Sequence, residues 1–171
     1  IDIVPDDLAT DDEFGLAIAT VGDQTFVFGN PKHDNTQGQD VGTAYLYRSG
    51  ELSTIPLPTE YNDKSKANDK FGFSVAATAS FIFVSAPGAY STGAVFGYTH
   101  ESKTAGEYRP LGDGTSIEFG YAIGAYGDNL LVGSPGDKDS TGNVFLYGVS
   151  DHNLIGALTP KDSLQPGVRY G

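Results

Sequence analysis

Acidic and hydroxyl side chains are concentrated in the loop that follows Pro135. Asp137, Asp139 and Thr141, with Gly142 next in the chain, have the types and spacing of the first half of a calcium-binding loop. The twelfth position of such a loop requires a bidentate glutamate, and here it is Gly148. Because Asp, Gly, Ser and Thr also form ordinary solvated turns, we interpret the segment as a turn. No metal or other cofactor is therefore expected, and Asp137, Asp139 and Thr141 are the candidates if calcium does bind.

The remaining reactive side chains do not form a catalytic pattern. Ser134 lies in Gly-Ser-Pro-Gly, which differs from the Gly-x-Ser-x-Gly nucleophile elbow of hydrolases. His33, His100 and His152 occupy separate loops, and surface positions are the default expectation for them. The acidic run of residues 6–13 is expected to be solvated, and no carboxylate has the apolar neighbours that acid catalysis needs. The sequence therefore predicts a protein that is not an enzyme.

Charge and composition exclude several classes of partner. The 171 residues carry a formal net charge of −12 at pH 7 and include neither cysteine nor methionine. Nucleic acids and anionic membrane surfaces both require a basic patch, so neither is expected as a partner. No apolar run is long enough for membrane insertion. Because Ile1 is not a translation start, we expect a processed chain or a segment of a longer one.

The loops that carry the candidate residues are positioned by an internal repeat. An aromatic-glycine pair, followed by an apolar stretch and a proline, begins at Phe14, Phe71 and Phe119, and the pair recurs at Tyr170. A period of roughly 50 residues indicates a solenoid or a propeller. The predicted divisions of a single, incomplete domain are the end of a preceding unit (1–13), three repeats (14–70, 71–118 and 119–169) and the start of a fourth (170–171).

Each repeat is predicted to form four strands and essentially no helix. Both faces of the first strand are uncharged, so we expect both to be buried. Bulky residues lie on one face and small residues on the other, which indicates that a neighbouring sheet approaches closely, as in blades that converge on a propeller axis. Pro56 and Pro110 lie in the predicted fourth strands. Because a sheet tolerates proline only on an edge strand, we expect the fourth strand to be outermost. The tyrosines and phenylalanines of the third strand are expected to form the core between sheets. The predicted strands are Phe14–Thr20, Phe71–Thr78 and Phe119–Tyr126; Phe26–Gly29, Phe81–Ala86 and Leu130–Ser134; Thr43–Tyr47, Ala94–Tyr98 and Asn143–Tyr147; Leu52–Leu57, Tyr108–Leu111 and Leu154–Leu158.

Three sets of motifs carry a resemblance to a known family. They are the aromatic-glycine pairs, a Gly-Ala-Pro-like element, and a closing strand of the type Gly-x-Val-Tyr-x-Tyr. The Gly-Ala-Pro-like element occurs at Gly29–Pro31, Ser85–Pro87 and Gly133–Pro135. The closing strand occurs at Gly42–Tyr47, Gly93–Tyr98 and Gly142–Tyr147. Together they resemble the FG-GAP repeat of the integrin alpha-subunit β-propeller, which implies an all-β fold of four-stranded antiparallel blades. Calcium-binding members carry an acidic loop between the first two strands, and the turns here are too short to supply it.

Three repeats fall short of the roughly 4–8 blades that close a propeller. Such a chain would leave an unpaired sheet face at each end, and exposed sheet surfaces are prone to associate. We therefore expect a β-propeller segment of three blades that belongs to a larger propeller, of about seven blades as the resemblance implies, or to a multi-chain one. Further blades, from the same chain or another, are expected partners.

The resemblance also implies that ligands meet one rim of loops. That rim includes the insertion Thr59–Lys70, which lengthens the first repeat. The candidate ligand residues are Asp34, Asp40, Tyr61, Asp63, Tyr90, Asp137 and Asp139.

Three functional hypotheses follow. The first is a non-enzymatic, extracellular or cell-surface adhesion module that binds a protein or glycan through the rim. The second is a structural repeat or fibre subunit that assembles through its open blade ends. The third is an accessory domain of a secreted enzyme.

Overall fold

A computed structural model describes residues 3–22, 24–62, 64–101, 103–110, 118–137 and 142–158. These residues form three four-stranded antiparallel sheets, each built from four consecutive strands in chain order. We call the sheets blades 1, 2 and 3. Blade 1 contains β1 (Ile18–Val21), β2 (Thr25–Asn30), β3 (Thr43–Arg48) and β4 (Glu51–Ile55). Blade 2 contains β5 (Val75–Ala77), β6 (Phe81–Ala86), β7 (Ala94–Thr99) and β8 (Thr104–Tyr108), and blade 3 contains β9 (Ala122–Tyr126), β10 (Asn129–Ser134), β11 (Asn143–Gly148) and β12 (Leu154–Leu158).

Helix is almost absent from the described residues. One turn of α-helix, α1 (Thr59–Asn62), lies in the insertion, and a 3-10 turn spans Ala89–Ser91. The prediction of an all-β fold with repeated four-stranded antiparallel blades is therefore confirmed. The first strands β1, β5 and β9 are neighbours in turn, so the blades converge on their inner strands.

Unlike faces meet where one blade packs on the next. Cross-strand pairing puts Ala19, Val27 and Leu46 on one face of blade 1. This face packs on Val75 and Phe96 of blade 2 in a continuous buried cluster. The opposite face of blade 2 packs on blade 3 in the same way, in the cluster Ala76, Phe83, Val95, Tyr108, Phe119, Leu130, Val132, Phe145, Tyr147 and Val149. Blade 2 therefore packs one face on the preceding blade and its opposite face on the following blade, so the three blades stack in a single orientation.

A backbone clasp joins each blade to the next. The Phe71 N–H donates to the Val41 carbonyl at 2.8 Å, and the Phe119 N–H donates to the Thr92 carbonyl at 3.0 Å. Gly42 pairs with Phe71, and Gly93 with Phe119, as isolated parallel bridges. A Cβ on either glycine would overlap the carbonyl oxygen of its phenylalanine partner. The phenylalanine of each aromatic-glycine pair therefore begins a new blade while its N–H is bonded to the residue just before the glycine that precedes the third strand of the preceding blade.

Two kinds of predicted strand boundary are wrong. The aromatic-glycine pairs were expected inside the first strands, yet β1, β5 and β9 begin three or four residues later. Gly15, Gly72 and Gly120 have φ values of +85°, +93° and +90°, which are turn conformations rather than strand conformations. In the fourth strands, Pro56 and Pro110 follow the end of β4 and β8 instead of lying within them. These strands are outermost as expected, but the prolines end them.

The two end faces of the chain are open. Burial of both faces of the first strand holds for blade 2, where Val75 and Ala76 are each 7% exposed. In blade 1 the residue equivalent to Val75 is Ile18, which is 60% exposed. In blade 3 the first-strand residue equivalent to Ala76 is Gly124, which is exposed, and its cross-strand partner Leu131 on β10 is 41% exposed. The expectation that all first strands are buried on both faces is therefore wrong in blades 1 and 3, because the described residues include no further blade against these two faces.

Candidate functional site: the loop rim

Two sets of loops share one end of the blades. Because strands alternate in direction within a sheet, the loop after the second strand and the segment after the fourth strand lie at the same end. We call this end the loop rim. Its described parts are 31–42, 56–62, 64–74, 87–93, 109–110, 118–121, 135–137 and 142.

Asp34 and Asp40 close the rim loop of blade 1. The Asp40 N–H donates to Asp34 Oδ1 at 2.8 Å, and Asn35 and Gly38 exchange backbone hydrogen bonds between them. Asp34 is exposed, whereas Asp40 is half-buried with a φ of +52°. The Asp34 carboxylate therefore stabilises the loop through its Oδ1 atom, and both aspartates lie on the rim.

Tyr61 and Tyr90 come together from different blades. Their ring centroids are 5.0 Å apart, although one residue lies on α1 and the other on the rim loop of blade 2. Tyr61 is fully buried and its hydroxyl donates to Asp69 Oδ2. The same carboxylate accepts the Lys66 N–H at 2.6 Å, so it also folds the end of the insertion. Tyr61 therefore anchors the insertion and presents no polar atom to solvent.

Tyr90 carries a cation on its exposed side. The Arg109 guanidinium carbon lies 3.4 Å from the Tyr90 ring centroid, which is cation–π geometry. Glu107 Oε1 accepts from Arg109 at 3.1 Å. We call Tyr61, Tyr90, Glu107 and Arg109 the aromatic–arginine stack. The Arg109 and Glu107 side chains are 39% and 32% exposed, so a partner can reach the stack.

Asp137 lies under the rim of blade 3. It is 5% exposed, and Asn143 Nδ2 donates to its Oδ2 at 3.1 Å. The Gly142 N–H donates to its backbone carbonyl at 2.9 Å. Asp139 and Thr141, the other two members of the candidate calcium half-loop, lie outside the described residues, as does Asp63. Within the described residues, no three His, Asp or Glu side chains are grouped as a metal site requires.

A polar network lies under the N-terminal segment. Asp12 Oδ2 accepts from Asn30 Nδ2 at 3.0 Å and from His33 Nδ1 at 3.2 Å. Burial opposes ionisation of Asp12, but hydrogen bonds from Asn30, His33 and the Ala9 N–H outweigh it and lower the pKa of the carboxyl. The Tyr45 hydroxyl donates to Asp7 Oδ1 at 2.9 Å.

Two expectations fail in this network. The Asp12 and His33 side chains are 5% and 17% exposed, so neither is the solvated residue that was expected. The network could not be predicted from the sequence, because its members are distant from one another along the chain. The only local signal was Asp12 itself, which, like Asp69, lies two residues before an aromatic-glycine pair and accepts the N–H three residues earlier. The sequence reasoning also missed Glu107 and Arg109, for which no pattern was available.

Alkaline pH is expected to destabilise the fold. Burial raises the pKa of Tyr108 to about 12, and burial together with the hydrogen bond to Asp69 raises the pKa of Tyr61 further. Burial also raises the pKa of Tyr98, whose hydroxyl has no partner among the described residues. An unfolded tyrosine titrates near pH 10, so this contribution to stability is complete below about pH 10 and is lost as pH rises through the folded pKa values.

Urea unfolding followed by circular dichroism should therefore show a falling midpoint above about pH 10. Tyrosinate absorbance should show a group of tyrosines that ionise only as the protein unfolds. Titration of all ten tyrosines near pH 10 without loss of stability would contradict this prediction.

Comparison with known proteins gives one family and one fold. Residues 2–47 match the FG-GAP repeat family model. No curated protein matches the chain. A solved structure described as a crystal structure of the eukaryotic initiation factor matches over 100% of this chain, with a TM-score of 0.59 and 10% sequence identity. This chain spans 36% of that structure's length. At such identity the likeness shows the fold alone, and 83 solved chains match in total.

The family match confirms the resemblance to FG-GAP repeats for the first repeat, and the three blades extend the same organisation along the chain. In the described part of the chain, no helix has both the length and the hydropathy of a membrane span.

Proposed function

We propose that this chain, whose residues 2–47 match the FG-GAP repeat family model, is a propeller-type interaction module that binds a protein or glycan through its loop rim, outside the cell or at its surface. It acts by binding alone, without a catalytic group, cofactor or metal. FG-GAP repeats are typically extracellular and generally non-enzymatic, which supports both parts of the proposal. The net charge of −12 argues against nucleic acid as the partner.

The observation that carries the proposal is the aromatic–arginine stack. Tyrosine and arginine are enriched among the few residues that supply most of the binding energy at protein interfaces. Here the Arg109 guanidinium is held over Tyr90 and by Glu107 before any partner arrives. Tyr90 adopts a φ of +55°, a strained conformation for a residue with a side chain. A rigid, partly exposed side-chain pair loses little conformational entropy on binding.

Substitution of Arg109 tests the proposal. Binding of the chain to immobilised glycans and to intact cells should fall at least tenfold in Arg109→Ala, which corresponds to about 1.4 kcal/mol. Arg48→Ala is the matched control, because Arg48 is also exposed but lies at the other end of blade 1. Thermal unfolding of both variants establishes that they remain folded. Equal effects of the two substitutions, or no binding to either surface by the unsubstituted chain, would rule the proposal out.

A second candidate function is self-assembly into a structural array. The observation that favours it is the exposure of Ile18 and Leu131 on opposite ends of the chain, where their equivalents in blade 2 are buried. Each end face matches the kind of face that is covered at the two internal blade interfaces. The larger propeller expected from the resemblance would cover these faces with further blades, either from the same chain or from other copies.

A further inference from the structure

The open face of blade 3 matches a face that is covered elsewhere in the chain. Cross-strand pairing puts Gly124, Leu131 and Leu146 on this face. The equivalent side chains of blade 1, which pack on blade 2, are Ala19, Val27 and Leu46. Val27 is fully buried, whereas Leu131 is 41% exposed. Blade 3 therefore offers the same half of a junction that blade 1 offers to blade 2.

The open face of blade 1 matches the other half of that junction. Ile18, Phe28 and Tyr45 share this face. Tyr45 is already buried, and its hydroxyl donates to Asp7 of the N-terminal segment. The inner part of the face is open, since Leu16 and Ile18 are 52% and 60% exposed. The equivalents in blade 2, which are buried against blade 1, are Val75, Val84 and Phe96. One chain thus carries one uncovered copy of each half.

The backbone clasp also lacks a partner at this end. The N–H groups of Phe71 and Phe119 donate to the preceding blade, but the Phe14 N–H, at the same position of the first repeat, has no backbone acceptor among the described residues. In blade 3, Gly142 precedes the third strand with a φ of +81°, close to the +84° and +97° of the two clasp glycines. Blade 1 therefore carries the donor half of a clasp, and blade 3 carries the glycine half.

Blade number decides how many copies complete a ring. Propellers close with roughly 4–8 blades. This chain supplies three four-stranded blades, so two copies supply six, whereas three copies would supply nine. The number of about seven that the FG-GAP resemblance implies cannot be reached with whole copies. Two is therefore the number of copies that falls within the range.

We propose that two copies of this chain associate head to tail and close a six-bladed propeller. The open face of blade 3 in each copy packs on the open face of blade 1 in the other, so a twofold axis relates two identical junctions. The loop rims of both copies then lie at one end of the ring, with the two aromatic–arginine stacks on the same side. The proposal rests on the self-association given above as a second candidate function, and it replaces an open array by a closed ring of two copies.

The charge of the chain predicts how salt acts on this dimer. Each copy has a formal net charge of −12, so two copies repel each other. The side chains named above on the two open faces are uncharged, and their contact is therefore apolar. Salt screens repulsion between exposed charges, so dimerisation should strengthen between about 0.01 M and about 0.15 M salt.

Sedimentation equilibrium on the whole chain tests the number of copies. The mean mass should rise with concentration from 18.0 kDa and level off at twice that value. Ile155→Asp, which places a charge on the outermost strand of blade 3, is the matched control and should leave the dimer unchanged. Tyr170 and Gly171 form the other aromatic-glycine pair that could pair with Gly142, and a chain that ends at residue 169 should dimerise at least as tightly.

Mixing Ile18→Asp with Leu131→Asp tests closure of the ring. Each variant alone should stay monomeric, because a charge lies in both of its junctions. The mixture retains one intact junction instead of two, so it should form a one-to-one complex at least tenfold weaker than the dimer of the unsubstituted chain. Circular dichroism establishes that both variants fold, as expected for substitutions of exposed side chains.

Three results would overturn closure by two copies. They are a mass that continues past twice 18.0 kDa, a mixture that associates as tightly as the unsubstituted chain, and association that weakens as salt is added. If either variant fails to fold, the limiting mass of the unsubstituted chain still decides. A constant monomer mass would defeat self-association altogether, whereas growth past two copies would defeat the closed ring alone. The rim proposal is tested separately, since Arg109→Ala should leave the mass unchanged.

Discussion

Replacing Phe71 with alanine is expected to lower the free energy of unfolding by about 3–5 kcal/mol, the range for removing a large aromatic side chain from a core. Phe71 is fully buried between blades 1 and 2, where its ring packs 5.9 Å from Phe96 and 6.3 Å from Tyr98. The backbone clasp at Gly42 joins the two blades at this position and opposes collapse of the interface around the cavity. Urea unfolding followed by circular dichroism measures the loss.

Phe14→Ala is the matched control for this substitution. Phe14 occupies the same position in the first repeat, but it is only partly buried and packs within its own blade on Phe28 and Tyr45. We expect it to cost about 1–2 kcal/mol, since part of the ring is exposed before the substitution. Equal losses at the two positions would show that contact between blades contributes little to stability.

Head-to-tail association is the second large expected effect. Sedimentation velocity should show that the mean mass of the protein increases as its concentration rises. The reason is that the open face of blade 1 complements the open face of blade 3. The first face carries Leu16 and Ile18, and the second carries Leu131. These faces are not the same surface, so association is heterologous and can continue from copy to copy or close into a ring. Ile18→Asp should abolish it by placing a charge in the contact.

Ile155→Asp is the control for this experiment. Ile155 is also 60% exposed, but it lies on the outermost strand of blade 3, away from the inner strands where blades converge. Association should therefore persist in this variant. A constant monomer mass at every concentration, or loss of association in both variants, would remove the support for self-assembly.

The strands of the blades could be predicted from the sequence far more accurately than the contacts of the loop rim. Alternation of bulky and small residues predicted the inner strands because it records which side chains face a neighbouring sheet. Phe71 and Gly72 were predicted to be strand because they continue the same alternation of bulky and small residues, but Gly72 has a turn conformation and Phe71 is clasped to the preceding blade.

The rim was less accessible to sequence reasoning because its contacts join distant parts of the chain. Tyr61 could be placed in the insertion, but its burial requires Asp69 and the ring of Tyr90 from the next blade. His33 resembled any surface histidine until the fold brought Asp7 and Asp12 beside it. Local turn chemistry was more predictable, as the short contact between Asp34 and Asp40 illustrates.

The clasp has an evolutionary consequence. Phe71 bonds to the glycine region of the preceding repeat, and Phe119 does the same one repeat later, so the second repeat carries one half of each of two like junctions. A gene duplication or deletion of one whole repeat therefore adds or removes one blade and one junction without altering any other. Stability in such arrays is approximately a sum of unit terms and nearest-neighbour terms. Repeat number can thus change in single steps, whereas a shift of a few residues would separate Gly42 or Gly93 from its aromatic partner.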